Sequence, residues 1–459
     1  MTARSHRAGG RGAAATANQR RVVIVEALRS RLWPVPALGV LAAALAGVAL
    51  PELEGVMGEH IPPALSGYMF GGGADAAREV LGVIATAMIT VTSLTFSLTV
   101  ITLQLASSQY TPRLLRTFAA DRFVQNTLAL FLATFVYALT VLRTVRNDDD
   151  LGALFVPRIA VTLGSLLAMA SVLALVLFLG HLVRQIRIET MLEHVATEAR
   201  RTADILLDPA DEDHGAHHAP QTPLSSNVIC APSSGFLVGI DEQALLAAAV
   251  DTGAVIRIDA HVGAPVTVGV PLADCWAADL AQRVGSERID RLRQQVCSAL
   301  RIGPERTATQ DVGYGLRQLT DVVVRALSPG INDPTTAVHG LSSCSAVLCH
   351  LVRFRLGQVV LRDDDDVVRV VLARPGLPEL LDLVCVQPQI YGARDPLVLA
   401  ALLSLLHDLA WTAATPEHQR AVAGRLHRVR ATVEEQRFDD VERRRLGSLA
   451  DRVDAALTR

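Results

Sequence analysis

The sequence predicts an α-helical membrane protein, a four-span bundle followed by a cytoplasmic α+β domain. Three observations carry this. Half of the 459 residues are apolar and only 19 % are charged, below the level of about 25 % usual for soluble domains. Four charge-poor apolar runs lie before residue 184. After residue 226 the pattern changes to short alternating segments and amphipathic helices.

The first element, residues 1–32, is a basic tail. Residues 1–31 hold seven arginines and a single acid, Glu26, in an Ala/Gly background. That composition predicts disorder, and it serves either as a topology signal or as a patch that rests on anionic lipid. The transmembrane domain, 33–183, has spans at about 33–50, 80–107, 124–142 and 159–183, each an apolar run near the 20 residues a bilayer needs. The first, Trp33–Leu50, is the shortest. With "ALAGVAL" it also reads as the apolar part of a secretory signal.

Lys and Arg in the short loops orient the bundle. The tail is basic, and Pro51–Ala77 has no Lys or Arg but carries Glu52, Glu54, Glu59 and Asp75. Arg113, Arg116 and Arg122 follow the second span, and Arg184 and Arg187 follow the fourth. The loop between spans three and four is mixed. Positive residues belong inside, so both termini are expected in the cytoplasm of a multi-pass inner-membrane protein.

The second span poses the functional question. No charge interrupts Val80–Pro112, yet "TVTSLTFSLTVITLQLASSQYTPR" holds ten Ser or Thr. At 100° per residue, Thr86, Thr90, Ser93, Ser97, Gln104 and Ser108 fall within about 40° of one line, and Thr92, Thr95, Thr99 and Thr102 gather opposite. Lipid cannot satisfy a polar face. Either the hydroxyls bond their own preceding turn and let helices pack closely, or the first line faces a hydrated path with Gln104 at its cytoplasmic mouth. Gln104 discriminates, because an amide cannot satisfy itself by back-bonding. The absence of Asp, Glu, Lys and Arg from this span argues against a proton relay or charged ion site.

Residues 184–226 form a juxtamembrane helix and linker. Ile188, Met191, Val195, Thr202 and Ile205 stand near heptad spacing, a pattern for pairing with copies of the chain, although Glu198 sits at one seam position. "PADEDHGAHHAPQTP" reads as a flexible linker, because Asp211, Asp213, His214, His217 and His218 lack fixed metal-ligand spacing.

The cytoplasmic domain, 227–459, is β-rich over 227–276 and helical over 286–459. "AVIRIDA" and "APVTVGVPLADCW" alternate as strands with glycine turns; "HVGAPVTVGVPL" superficially matches the hairpin of biotin and lipoyl carriers but lacks their lysine, so a small structural β-module is expected. "VGYG" at 312–315 has the core of a potassium-channel filter, far from any span, and is expected to permit a close turn before a helix at Leu316–Leu327. In "SPGINDPTTAVHG", Asp333 and Pro334 predict an N-cap and first turn for a helix to His350. Asn332, Asp333, Thr335 and Thr336 are therefore either a structural turn or an anion-binding one. Asp363–Asp366 reads as a solvated loop, "RVVLAR" as a strand, and Asp395-Pro396 as a second cap. Helices at roughly 417–436 and 439–457 end the chain. All six cysteines lie after residue 229 with no C-x-x-C pair, as for reduced core thiols in the cytoplasm.

Two stretches, "SLTFSLTVITLQLASSQYTPRLLR" followed by "FLATFVYALTVLR", and then "RTATQDVGYGLRQLTDVVVRALSPGINDPTTA", resemble the signatures of a bacterial family of predicted integral membrane proteins catalogued as a domain of unknown function. The resemblance runs from about residue 30 to 440. It implies a multi-span inner-membrane protein of undetermined activity and transfers no catalytic residues. G-x-S-x-G, H-E-x-x-H, P-loop and dinucleotide motifs are absent, so an enzyme is not expected, nor a metal, a cofactor or a nucleic-acid partner. The expected partners are the lipid bilayer and further copies of the chain. The leading reading is an oligomeric channel or solute path with a cytoplasmic regulatory domain; the alternative is a membrane-anchored sensor or scaffold without transport.

Overall fold

The computed structural model describes residues 33–57, 69–109, 121–145, 156–185, 187–209, 219–278 and 286–459. The basic tail lies outside them. The chain forms two compact units that divide after Arg187.

In the first unit, α1 (Pro34–Met57), α2 (Ala74–Gln109), α3 (Arg122–Leu142) and α4 (Arg158–Gln185) are the four apolar helices, each long enough to cross a membrane. They outrun the expected spans. α1 continues through Pro51 to Met57, and α2 starts at Ala74 rather than Val80. A charge-free run marks only the part whose composition suits hydrocarbon, whereas the helix itself extends past it through Asp75, Arg78 and Glu79. α3 is the hub, packed on α1, α2 and α4. Small residues let the backbones close up: a Cβ added to Gly39 would lie 3.3 Å from Ala129, and one on Gly47 would lie 2.8 Å from Thr140. Leu81, Met88, Tyr137, Ala138, Val141 and Ala160 form the core between α2, α3 and α4.

Polar ties close this bundle at both ends. The Glu54 carboxylate of α1 accepts from Ile159 N at 3.0 and 3.1 Å and from Ala160 N at 3.4 Å, meeting N–H groups that the first turn of α4 cannot pair by itself. At the other end Asp121 caps α3 by accepting from Phe123 N at 2.7 Å, and its second oxygen lies 2.7 Å from His181 Nε2 of α4.

The second unit begins with α5 (Ile188–Leu206). The single helix expected from residue 184 is instead two, α4 ending at Gln185 and α5 starting at Ile188. Its apolar seam is also used differently: Met191, Leu192, Val195, Ala196, Ala199 and Ala203 are buried against helices of the same chain, while Ile205 is exposed. The seam is already occupied, which removes the reason to expect α5 to pair with copies.

Next come β1 (Asn227–Cys230), β2 (Gly235–Ile240), α6 (Glu242–Thr252), β3 (Ala254–Ile258), β4 (Pro265–Val266), β5 (Pro271–Ala277), α7 (Ser286–Ala299) and β6 (Leu300–Gly303). Helix α6 interrupts the window expected to be β-rich, where no helix is expected. Asp241 caps it and Gly253, at φ +67°, ends it in the left-handed region. "HVGAPVTVGVPL" does not form the carrier hairpin it superficially matches. β4 pairs with β2 in a three-stranded sheet ordered β4-β2-β6, whereas β5 joins a five-stranded sheet ordered β1-β5-β3-β8-β7. The last two strands of that sheet, β7 (Val359–Arg362) and β8 (Val368–Leu372), come from the region expected to be helical apart from "RVVLAR". β3 and β8 are parallel, and the remaining pairs are antiparallel. Leu237, Leu245, Ile256, Ile258 and Leu292 fill the core beneath.

The helical part comprises α8 (Tyr314–Ala326), α9 (Pro334–Leu351), α10 (Leu377–Tyr391), α11 (Pro396–Thr412), α12 (Pro416–Glu435) and α13 (Asp440–Leu457). Asp333 and Asp395 cap α9 and α11 with proline in the first turn, as the sequence predicts. α11 is apolar nearly throughout and is the centre of this layer, against α9, α12 and α13.

Candidate functional site

The two hydroxyl lines of α2 have opposite fates. Thr95 and Thr99 are buried, with Thr102, and Thr92 is half-buried. Three of them bond their own preceding turn: Thr92 donates to Met88 O at 2.6 Å, Thr99 to Thr95 O at 2.8 Å and Thr102 to Leu98 O at 2.8 Å. Thr95, with no exposed surface, has a hydroxyl without a partner among the described residues. Buried Gln125, Thr127 and Thr134 of α3 and Ser171 of α4 add to this polar interior. Thr134 Oγ1 and Ser171 Oγ meet at 3.2 Å.

Thr86, Thr90, Ser93, Ser97 and Gln104 lie on the outside of the unit, all exposed; the side chain of Ser108 lies outside the described set. Thr86 donates to Gly82 O at 2.9 Å and Thr90 to Thr86 O at 3.0 Å, so back-bonding accounts for these two hydroxyls. It does not account for Gln104, whose amide carries two donors and an acceptor. On either flank stand exposed Val83, Ile89, Leu94, Phe96, Val100 and Ile101. The line is thus a polar strip down the middle of an apolar, uncovered helix face. At its Ala74 end a shallow open groove of about 680 Å³ runs along Arg78, Glu79, Gly82, Thr86 and Thr90.

In the second unit the turn before α9 is held by its own side chains. Asn332 adopts the left-handed region at φ +49°. Asp333 accepts from Thr336 N at 3.1 Å and Thr336 Oγ1 at 2.6 Å, and those bonds hold its carboxyl below the usual carboxylate range. Thr335 is exposed beside it. The helix terminus therefore already faces a carboxylate, in the place a bound anion would take.

"QDVGYG" makes a junction that spacing alone does not reveal. Gln310 Oε1 accepts from Ile240 N at 2.8 Å. Asp311 is buried and receives Arg306 Nε at 2.8 Å and Gly313 N at 3.1 Å. Burial pushes the Asp311 carboxyl up, and the Arg306 guanidinium opposes that shift. A Cβ on Gly263, at φ +93°, would lie 2.2 Å from Asp311 Oδ2. α8 starts at Tyr314 rather than Leu316, and Gly315 serves a close approach, since its Cβ would lie 2.5 Å from Ala199 of α5. The cavity between Glu198, Thr202, Asp311 and Gln318 encloses about 10 Å³, about the space of one water. These residues brace the fold.

Among the described residues no group of three His, Cys, Asp or Glu is placed to hold a metal; Asp211, Asp213, His214, His217 and His218 lie outside them. The six cysteines are free thiols. Burial pushes Cys275 up to about 11 and Cys344 up to about 12, which makes both poor nucleophiles.

A family model described as "Predicted membrane protein (DUF2254)" matches residues 29–408. The chain is similar to an uncharacterized protein of Mycobacterium bovis and to one of Mycobacterium tuberculosis, each 37 % identical over 428 residues, spanning 92 % of this chain and 80 % of the relative. No solved structure matches.

Proposed function

The chain belongs to the DUF2254 family of predicted membrane proteins, and we propose that it forms a homo-oligomeric solute path, with α2 of each copy lining it. The carrying observation is the exposed line Thr86, Thr90, Ser93, Ser97 and Gln104 in the middle of an apolar face. An amide left in hydrocarbon without a partner costs several kcal/mol, so this face requires water or protein against it. Among the described residues no helix of the same chain covers it, and symmetric assembly would supply one. The absence of acids and bases along the strip suits small hydrated solutes or ions rather than a proton relay. In this reading the protein is a non-enzymatic inner-membrane protein with both termini in the cytoplasm, and residues 227–459 regulate the path from there.

Purified full-length protein in liposomes tests this directly. Flux of small ions above that of empty vesicles, altered by Gln104→Leu, is the expected result. Vesicles that stay tight under every condition, with folded oligomeric protein in them, would instead favour a membrane-anchored sensor or scaffold. Reporters after Arg459 and near Gly71 check the orientation, with opposite sides of the membrane expected.

A further inference from the structure

We propose that the cavity between α5 and the "QDVGYG" turn is a binding site for one dehydrated alkali cation, held by Glu198, Thr202, Asp311 and Gln318. The site lies wholly within the second unit and does not depend on the path reading above.

Its placement follows from helical spacing. Val195, Glu198, Ala199 and Thr202 stand at i, i+3, i+4 and i+7, on one face of α5. That face turns to the start of α8, where Gly315 leaves room for Ala199. Glu198 and Thr202 thereby share a space of about 10 Å³ with Asp311, just before α8, and Gln318, one turn into it. Such a space takes one water-sized particle, and a potassium ion has nearly the radius of a water molecule. Glu198 is exposed and Asp311 is buried, so the space opens at the first and closes at the second. Glu198 is also the acid that interrupts the apolar seam of α5, and the site gives that position a role.

The polar groups around this space are unspent. Gln318 is only 7 % exposed, yet among the described residues its amide makes no hydrogen bond, a costly state for a buried polar group. The hydroxyl of Thr202 and the carboxylate of Glu198 make none there either. By contrast Thr252 and Thr320, also in helices of this unit, donate to their own preceding turns at 2.7 and 2.8 Å.

Charge selects the occupant. Asp311 receives Arg306 Nε at 2.8 Å and Gly313 N at 3.1 Å, but burial still outweighs the guanidinium and holds its carboxyl above the usual range. Two carboxylates thus share one guanidinium. The basic side chains beside them do not fill the gap: Arg200 donates to Thr197 Oγ1 at 3.2 Å, Arg317 pairs with Asp321 at 2.9 Å, and Arg201 is exposed and outside the lining. A water would leave the excess charge, and carboxylates offer it acceptors only. A cation supplies the charge and takes all these oxygens, as protein oxygens that replace a hydration shell do. Calcium would call for about 6–8 oxygens, more than this lining offers.

The test is a thermal-stability titration of purified full-length protein in detergent, with potassium, sodium, calcium or choline chloride at constant ionic strength. Tm should rise saturably with potassium or sodium relative to choline, since a ligand of the folded state alone stabilises it. Glu198→Gln and Thr202→Val change residues that are not buried and should keep the fold in choline. Each should raise the half-saturating concentration by at least the roughly tenfold that losing an outer-shell partner costs a metal site. Gln318→Met, which removes the unpaired amide, should abolish the response without lowering Tm in choline. Glu193→Gln, an exposed acid of α5 outside the lining, should leave the response intact. Identical Tm in all four salts would overturn the site and leave a water in the space. A response to calcium alone would overturn the alkali-cation assignment. An alkali response that persists in full in Glu198→Gln, Thr202→Val and Gln318→Met would place the ion elsewhere and overturn the site equally.

Discussion

The two faces of α2 carry similar hydroxyls on one helix, yet one is sealed inside the bundle and the other is left uncovered. On the inner face Thr95, Thr99 and Thr102 are buried, and on the outer face Thr86, Thr90, Ser93, Ser97 and Gln104 are exposed. The difference teaches that residue type does not decide which stripe serves packing and which serves solvent. Small back-bonded hydroxyls suit both. What separates the faces is the neighbour: the inner one has α3 and α4, and the outer one carries an amide, Gln104, with no helix over it among the described residues.

A charge on each face is the harshest way to break this comparison. Thr95→Asp places a carboxylate in a fully buried site and should cost about 3 kcal/mol or more, seen as lost membrane yield and a lower Tm. Ser97→Asp, facing water, should leave both near wild type. Equal damage from both would mean that the outer face meets lipid. A milder contrast uses the unpaired hydroxyl. Thr95→Val removes a buried group that finds no partner and should raise stability by about 1 kcal/mol, whereas Ser97→Ala should change it little. A fall in Tm for Thr95→Val would show that this hydroxyl is satisfied. In the second unit, Asp333→Ala provides a reference of known type, about 1 kcal/mol for a lost cap. Because the folded carboxyl titrates below its unfolded value, that contribution is full above about pH 4 and fades as the pH falls through the folded pKa. A loss of flux without a change in Tm would instead revive an anion role for the turn. The smallest effect belongs to Gln104→Leu. Facing water, it should leave assembly unchanged by light scattering, while a loss of roughly 0.6–2 kcal/mol of association would identify an interhelical hydrogen bond.

Much of the fold is legible because its signals are local. Four apolar runs give four helices, and Asp333-Pro334 and Asp395-Pro396 mark two helix starts where they stand. The candidate strip was legible as a pattern, since it needs only helical spacing. Its exposure was not, because two equal stripes leave the packing choice to α3. Glu54 shows the same limit. It reads as a loop acid, but it caps a helix more than a hundred residues away. α5 has the spacing of a self-pairing seam, yet Gly315 creates room for Ala199 and draws that seam into its own chain. Helix α6 carries local signals of its own, an Asp241 cap, Ala- and Leu-rich "LLAAAV" and a Gly253 stop, but at eleven residues between strands it is submerged in a window whose pattern is mostly β.

Labelling by a membrane-impermeant, water-soluble thiol reagent measures the contrast between the faces directly, in a chain with its native cysteines replaced. Ser97→Cys and Gln104→Cys should be modified from the cytoplasmic side. Leu94→Cys and Leu98→Cys, which point away from the strip, and Thr99→Cys, on the buried face, should remain unreacted. Equal protection at 94, 97, 98, 99 and 104 under all conditions would contradict a hydrated path along α2.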